Sequence, residues 1–288
     1  MSTVWTYVEL TKPRLLPLVL FSGVPALLLS LPEWPSPLAC SAVLGGLALA
    51  AGSANALNSF LERDRDQHME RTALRPLPSG RLAPERALYF GLALGVLGPG
   101  LLAFTAGPMA ALVALAGILF YVFVYTLWLK PRTAAAVVVG GVSGAISPLV
   151  ADAAFDGVIG AAGWLLFALI FVWQPPHFWA IALYRSREYG AAGFPVLPNT
   201  VGERATRRRI LLWIPPVVVV SLIPVYLEML GWIYAVPAIA LGALFMASGV
   251  SLQFQASAAA ARRVFRVSLV YLMGVFVAML GDLMWRAL

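Results

Sequence analysis

The chain has 288 residues, 61% hydrophobic and only 11% charged, with a mean hydropathy of +0.86. Soluble domains carry about 25% charged residues, so a water-soluble fold is excluded, and repeated apolar runs of about 20 residues make this a polytopic membrane protein. A single cysteine, Cys40, excludes an internal disulfide or a cysteine-built metal site, and the net charge of +7 is placed in a way that calls for no nucleic-acid partner.

The pattern predicts an all-α fold with nine spans, at about 15–31, 38–60, 84–106, 109–129, 135–151, 161–183, 210–228, 232–253 and 266–285. Lys12 and Arg14 precede the first span without an A-x-A-like site after it, so no cleavable signal peptide is expected. PEWPSP then makes a short connection to the second span.

That second span runs into NALNSFLERDRDQHMERTALRPLP (55–78), which gathers four acids and four arginines in an otherwise oily chain. On a helix Asn58, Glu62 and Asp66 recur at i, i+4 and i+8 and share one face. An amide and carboxylates at a membrane boundary suit a hard, oxygen-bound cation, and Mg²⁺ takes one or two carboxylates plus substrate phosphates. Arg71 and Arg75 follow one turn apart, and arginine grips phosphate through a planar fork. The alternative is a run of surface ion pairs. Asn58 argues against it, because an amide inside a span is costly and marks function. The window therefore predicts a diphosphate site at a hydrocarbon boundary, for which a prenyl diphosphate is the natural ligand.

Lys130 and Arg132, in LKPRT after the fourth span, are placed to take further phosphate charge. The fifth span contributes Gly140, Gly141, Ser143, Gly144 and Ser147, small residues that permit close helix packing or leave room for a bulky ligand. In the sixth, FVWQPPHFWAIALYRSREYGAAGFPVLP, the pair Pro175–Pro176 predicts a broken helix over Trp173 to His177, and helical spacing puts His177 in one groove with Arg185 and Glu188. The last three spans read as ordinary apolar helices.

With the N-terminus cytoplasmic, every basic residue except Arg286 lies on the cytoplasmic side, and the C-terminus lies on the far side. A transporter would spread its charges through the bilayer; these crowd one face. The whole chain, 1–288, reads as one domain, with cytoplasmic caps at about 61–83 and 184–209, each long enough for a short helix.

LTKPR at 10–14, the 55–78 window, YTLWLKPRT at 125–133, WQPPHFWAIALYR at 173–185 and AAGFPVLP at 191–198 carry a resemblance. Nearly end to end, the chain resembles the UbiA-type intramembrane prenyltransferases, and within them the haem O synthase branch. The resemblance implies helices around a central cavity and two acidic motifs binding Mg²⁺-diphosphate. It implies transfer of the farnesyl group of farnesyl diphosphate to a vinyl group of haem B, with water added, giving haem O. Haem is then a substrate rather than a cofactor.

WQPPHFW separates this branch from those that prenylate aromatic acids, chlorophyllides or glycerolipids. Asn58, Glu62, Asp66 and Glu188 become catalytic metal ligands, and Arg71, Arg75, Lys130, Arg132 and Arg185 diphosphate ligands. Trp173, Gln174, His177 and Trp179 fall on the haem side, where His177 ligates iron, contacts a propionate or holds the cavity's shape. Glu62 and Glu188 stand where the family usually has Asp, which lengthens each carboxylate by one methylene. The family setting is the bacterial inner membrane, with haem A synthase or a terminal oxidase as assembly partners.

Overall fold

The computed structural model describes residues 3–29 and 34–288, and every regular element among them is helical. Residues 30–33, where the first expected span ends and PEWPSP begins, lie outside the described residues. A short helix α1 (Thr3–Leu10) leads into α2 (Leu16–Leu29) and the 30-residue α3 (Pro37–Asp66). Ser36 starts α3 by accepting from Ala39 N at 3.2 Å, with Pro37 in the first turn, where its missing N–H costs nothing. At about 1.5 Å per residue, α3 is about 45 Å long against about 30 Å of hydrocarbon. Its last turns, carrying Glu62 and Asp66, therefore reach past the span.

Helix α4 (Pro84–Thr105) lies against α3, and small residues set the approach. A Cβ on Gly98 would stand 2.7 Å from Ala50 N, so no larger residue fits there. Helix α5 (Pro108–Leu129) changes character at Phe120, from which it runs as a π-helix. The Lys130 N–H accordingly reaches back five residues to Tyr125 O at 2.9 Å. This wider winding brings Thr126 and Lys130 against α3.

The expected fifth span is two helices, α6 (Ala136–Gly144) and α7 (Ile146–Asp152), separated at Ala145. Its glycines are filled from neighbouring helices: Cβ atoms at Gly140 and Gly144 would collide with Tyr125 and Gln174. At these positions the small residues serve packing.

Helix α8 (Ala161–Tyr184) corrects the expected break, because it runs continuously through Pro175 and Pro176. A proline at 176 cannot bond the carbonyl of Val172, and the indole of Trp213 supplies that carbonyl with a donor at 2.8 Å. The short helices α9 (Ser186–Ala191) and α10 (Leu197–Val201) make up the second cap. Of the first cap, expected at about 61–83, residues 61–66 are the end of α3 and 67–83 hold turns rather than a short helix of their own.

Helix α11 (Glu203–Tyr226) starts earlier than the apolar run, so Arg204 to Arg209 sit in its first turns. Helices α12 (Trp232–Gln255) and α13 (Ala258–Arg286) close the bundle around Tyr234, Phe245, Tyr271 and Phe276, all fully buried. Asp282 accepts from Gly231 N at 2.8 Å and pairs with Arg286 at 2.9 Å. A carboxylate there satisfies the donors at the start of α12 and favours its positive dipole end.

Among the described residues seven helices are long and apolar enough to cross a membrane. The first and fifth expected spans are instead met by shorter apolar segments, Leu16–Leu29 and Ala136–Asp152. The chain is an all-helical, multi-pass membrane protein.

Candidate active site

The basin forms where the end of α3 meets α5 and the α1–α2 turn. Asn58, Glu62 and Asp66 are buried on one face of α3, at 2%, 5% and 1% exposure. Burying two carboxylates is costly unless each is paired, and each is. Lys130 Nζ donates to Glu62 Oε2 at 2.7 Å, with Oε1 2.5 Å from the same nitrogen. Arg75 Nη1 donates to Asp66 Oδ2 at 2.9 Å. The opposite oxygen, Asp66 Oδ1, is buried with no hydrogen-bond partner.

Local structure makes these pairings possible. Thr72 Oγ1 donates to Asp66 O at 2.7 Å, which folds the chain back from the end of α3 and returns Arg75 to Asp66. The π-helix delivers Lys130 to Glu62, and Thr126 Oγ1 accepts from Asn58 Nδ2 at 3.2 Å. Asn58 Oδ1 in turn accepts from Lys12 Nζ at 2.7 Å. Lys12 itself has φ +54°, a left-handed conformation that non-glycine residues hold only under constraint.

Arg71 reaches the second cap, donating to Tyr189 OH at 2.8 Å with its guanidinium 4.9 Å from the ring centroid. Lys130 also lies over the Phe194 ring at 4.7 Å. Four cations (Lys12, Arg71, Arg75, Lys130) thus stand with two acids, a surplus of two positive charges. Burial, then the neighbouring Arg75, pull the pKa of Lys12 down to about 7. Burial also works against the charge of Lys130, but Glu62 outweighs it and the net shift is upward.

The other expected site residues lie elsewhere. Arg132 turns its Nη1 onto Leu127 O and Trp128 O, at 2.9 and 2.8 Å, closing its own helix end. Arg185 Nη1 donates to both oxygens of Glu188, at 3.0 and 2.9 Å. The two line a separate polar cavity of about 510 Å³ with Glu203 and Arg207. Tyr189, one residue on, is what α9 contributes to the basin. Among the described residues no three His, Cys, Asp or Glu side chains gather as a metal site.

His177 does not share a groove with Arg185 and Glu188. Its Nδ1 is 2.7 Å from Ser268 Oγ on α13, and its ring stacks on Trp173 at 4.3 Å. Ser268 Oγ donates to Phe265 O at 2.7 Å, so Nδ1 carries the proton and Nε2 is the bare nitrogen. Trp173 Nε1 donates to Ser268 O at 2.8 Å, and Gln174 Nε2 to Gly141 O at 2.8 Å. Trp179 meets Trp213 at 5.6 Å. Trp173 and His177 thus meet on Ser268 of α13, whereas Gln174 faces α6 and Trp179 faces α11, so the four do not line one site.

Lys12, Thr126, Tyr189 and Phe194 belong to the basin although none is among the site residues expected from sequence. In the sequence Lys12 reads as a topology signal, while Thr126 stands out as a hydroxyl within an apolar run.

The oxygen donors of the basin are of the kind a hard divalent cation takes. Asp66 Oδ1 is idle, and the oxygens of Glu62 and Asn58 are held by Lys130 and Lys12, which would have to turn away to admit it. Two carboxylates one turn apart, one with an idle buried oxygen, match what Mg²⁺ asks of a protein when substrate phosphate and water complete its shell.

Comparison with known proteins places this geometry. A profile of the UbiA prenyltransferase family matches residues 19–278. The protoheme IX farnesyltransferase of Rhizorhabdus wittichii is 42% identical over 281 residues, covering 96% of this chain and 93% of that one. The protein of the same name from Gloeobacter violaceus is 44% identical over 275 residues, covering 95% and 90%. Among solved structures, one described as a digeranylgeranylglyceryl phosphate synthase superposes with TM-score 0.82 at 19% identity, covering 99% of this chain and all of that one. A UbiA homologue from Archaeoglobus fulgidus bound to DMAPP and Mg²⁺ superposes with TM-score 0.68 at 14% identity, covering 95% and 99%. At such identities the structures speak for the fold alone.

Proposed function

The chain belongs to the UbiA prenyltransferase family, and from that premise we propose that it is a protohaem IX farnesyltransferase. It moves the farnesyl group of farnesyl diphosphate onto a vinyl group of haem B, adds water and gives haem O and diphosphate. The observation that carries this reading is identity of 42–44% along almost the whole chain to proteins of that activity. The basin supplies its chemistry: buried acids and surplus cations at the end of a span.

Asp66 and Glu62, with Asn58, would hold Mg²⁺ once Lys130 and Lys12 turn from Glu62 and Asn58 onto the phosphate, and the ion would screen the phosphate charge. Lys12, Arg71, Arg75 and Lys130 take the diphosphate, stabilising the negative charge that grows as the farnesyl C1–O bond breaks. The vinyl carbon forms the new C–C bond, and water then adds its hydroxyl to the adjoining carbon and releases a proton. The rings of Tyr189 and Phe194 wall the basin and limit water until that step. Glu188 and Arg185 belong to this proposal as the second acid and its base. To take part they would have to give up their mutual pairing and turn from the separate cavity toward the basin that the neighbouring Tyr189 already reaches. The basic face is the cytoplasmic one, in a bacterial inner membrane.

The test is direct. Membrane-embedded protein given haem B, farnesyl diphosphate and Mg²⁺ yields haem O by mass spectrometry. Farnesyl diphosphate left intact, or its farnesyl found on another acceptor, overturns the assignment.

A further inference from the structure

A second cavity, of about 620 Å³, lies between the start of α6, α8, α10 and the first turns of α11. Its volume is that of a small-molecule site. Val138, Trp179, Leu212 and Trp213 make apolar walls, and Arg132 and Arg209 stand beside them. No acid lines it. Arg209 is exposed and makes no hydrogen bond or ion pair within the described residues, while Arg132 commits only Nη1.

Both arginines sit at span ends, just beyond Leu129 and near the start of α11. Leu212, 61% exposed, continues the wall one turn deeper. Trp173 and Trp213 each donate their indole N–H to a backbone carbonyl, whereas Trp179 Nε1 is buried without an acceptor.

We propose that this cavity binds an anionic phospholipid of the leaflet on the basic side. Its phosphate lies between Arg132 and Arg209, and an acyl chain runs along Val138, Leu212 and Trp213. Two guanidinium groups at headgroup depth, with no carboxylate to answer them, call for an anion, and basic pockets between spans at this level take acidic headgroups. Free phosphate leaves the apolar wall uncovered, and a zwitterionic headgroup brings a cation against the arginines. The site bears on the basin through two short links. Arg132 is two residues from Lys130, which holds Glu62, and Pro195 follows Phe194, on which Lys130 rests. Occupancy therefore steadies the segment that positions Lys130.

The test is native mass spectrometry of the full chain with phosphatidylglycerol or phosphatidylcholine, for wild type, R209K, R209Q and R132Q/R209Q. Phosphatidylglycerol is retained preferentially. R209Q weakens it roughly fivefold and the double variant roughly 25-fold, about 1 kcal/mol per arginine, while R209K keeps most of the affinity. Equal retention of both lipids, or no loss in the double variant, overturns the proposal. Displacement of phosphatidylglycerol by millimolar inorganic phosphate reassigns the cavity to a free anion. An R209Q variant that loses haem B affinity by Soret titration but keeps phosphatidylglycerol reassigns it to the haem carboxylates; either result also overturns the lipid assignment.

Discussion

Asp66 is the residue on which the basin turns, because one of its buried oxygens is idle while the other holds Arg75. Asp66→Asn keeps the shape and removes the charge. We expect haem O formation to fall about 10²–10³-fold, the scale of losing one electrostatic contact to a developing charge, with the thermal midpoint in detergent little changed. Turnover near wild type would remove Asp66 from the site.

Lys12 gives a pH signature. Its pKa near 7 lies below the ordinary lysine value, so below pH 7 it is charged in both folded and unfolded chains. Between about 7 and 10.5 only the unfolded chain keeps the proton. Stability thus rises with pH through that window as this buried charge is relieved. Anion binding runs the other way: farnesyl diphosphate affinity drops from pH 6 to 8 as Lys12 discharges. Lys12→Met, compared with wild type by binding titration, removes that part of the slope; identical slopes would exclude Lys12.

Individual elements show what was legible and what was not. The acid stripe could be read because Asn58, Glu62 and Asp66 lie on one helix, where spacing alone fixes the face. Their partners could not. Lys12 is 46 residues from Asn58 and Lys130 is 68 from Glu62, and a π-helical stretch that local composition does not announce turns Lys130 inward.

The double proline misled for the same reason. The local rule removes two backbone donors from α8, but Trp213, 41 residues away, gives one back to Val172 O. Trp213→Phe should therefore leave that carbonyl unpaired and lower the unfolding free energy by about 1–3 kcal/mol, measured by thermal melts. The reading of His177 as facing Arg185 failed because periodicity orders residues along a helix without saying which neighbour each side receives. Here α13 presents Ser268 to it. Ser268→Ala strands the His177 N–H and should cost about 1–3 kcal/mol, without changing the KM for farnesyl diphosphate. A large KM change would return His177 to the substrate site.

Across the whole molecule, the charge asymmetry was the most readable property, because it depends on counting rather than contacts. The expectation of nine spans meets seven full-length helices and two shorter apolar segments, since hydropathy does not register the division at Ala145. The orientation can be measured with Cys40→Ser as background. A cysteine at the exposed Ser79 should react with an impermeant thiol reagent only in inverted vesicles, and one at the exposed Asp156 only in intact cells. The reverse pattern would invert the topology.

Helix α1 has a practical bearing that its eight residues conceal. Leu10 is packed with Ala56, Leu77 and Leu82, and Glu9 is clasped by Arg81 at 2.8 Å. Lys12, two positions after Leu10, is thereby moored over Asn58. Trimming or fusing the amino terminus, a routine convenience in expressing membrane proteins, accordingly reaches the chemistry itself, and tags are better hung from the opposite end.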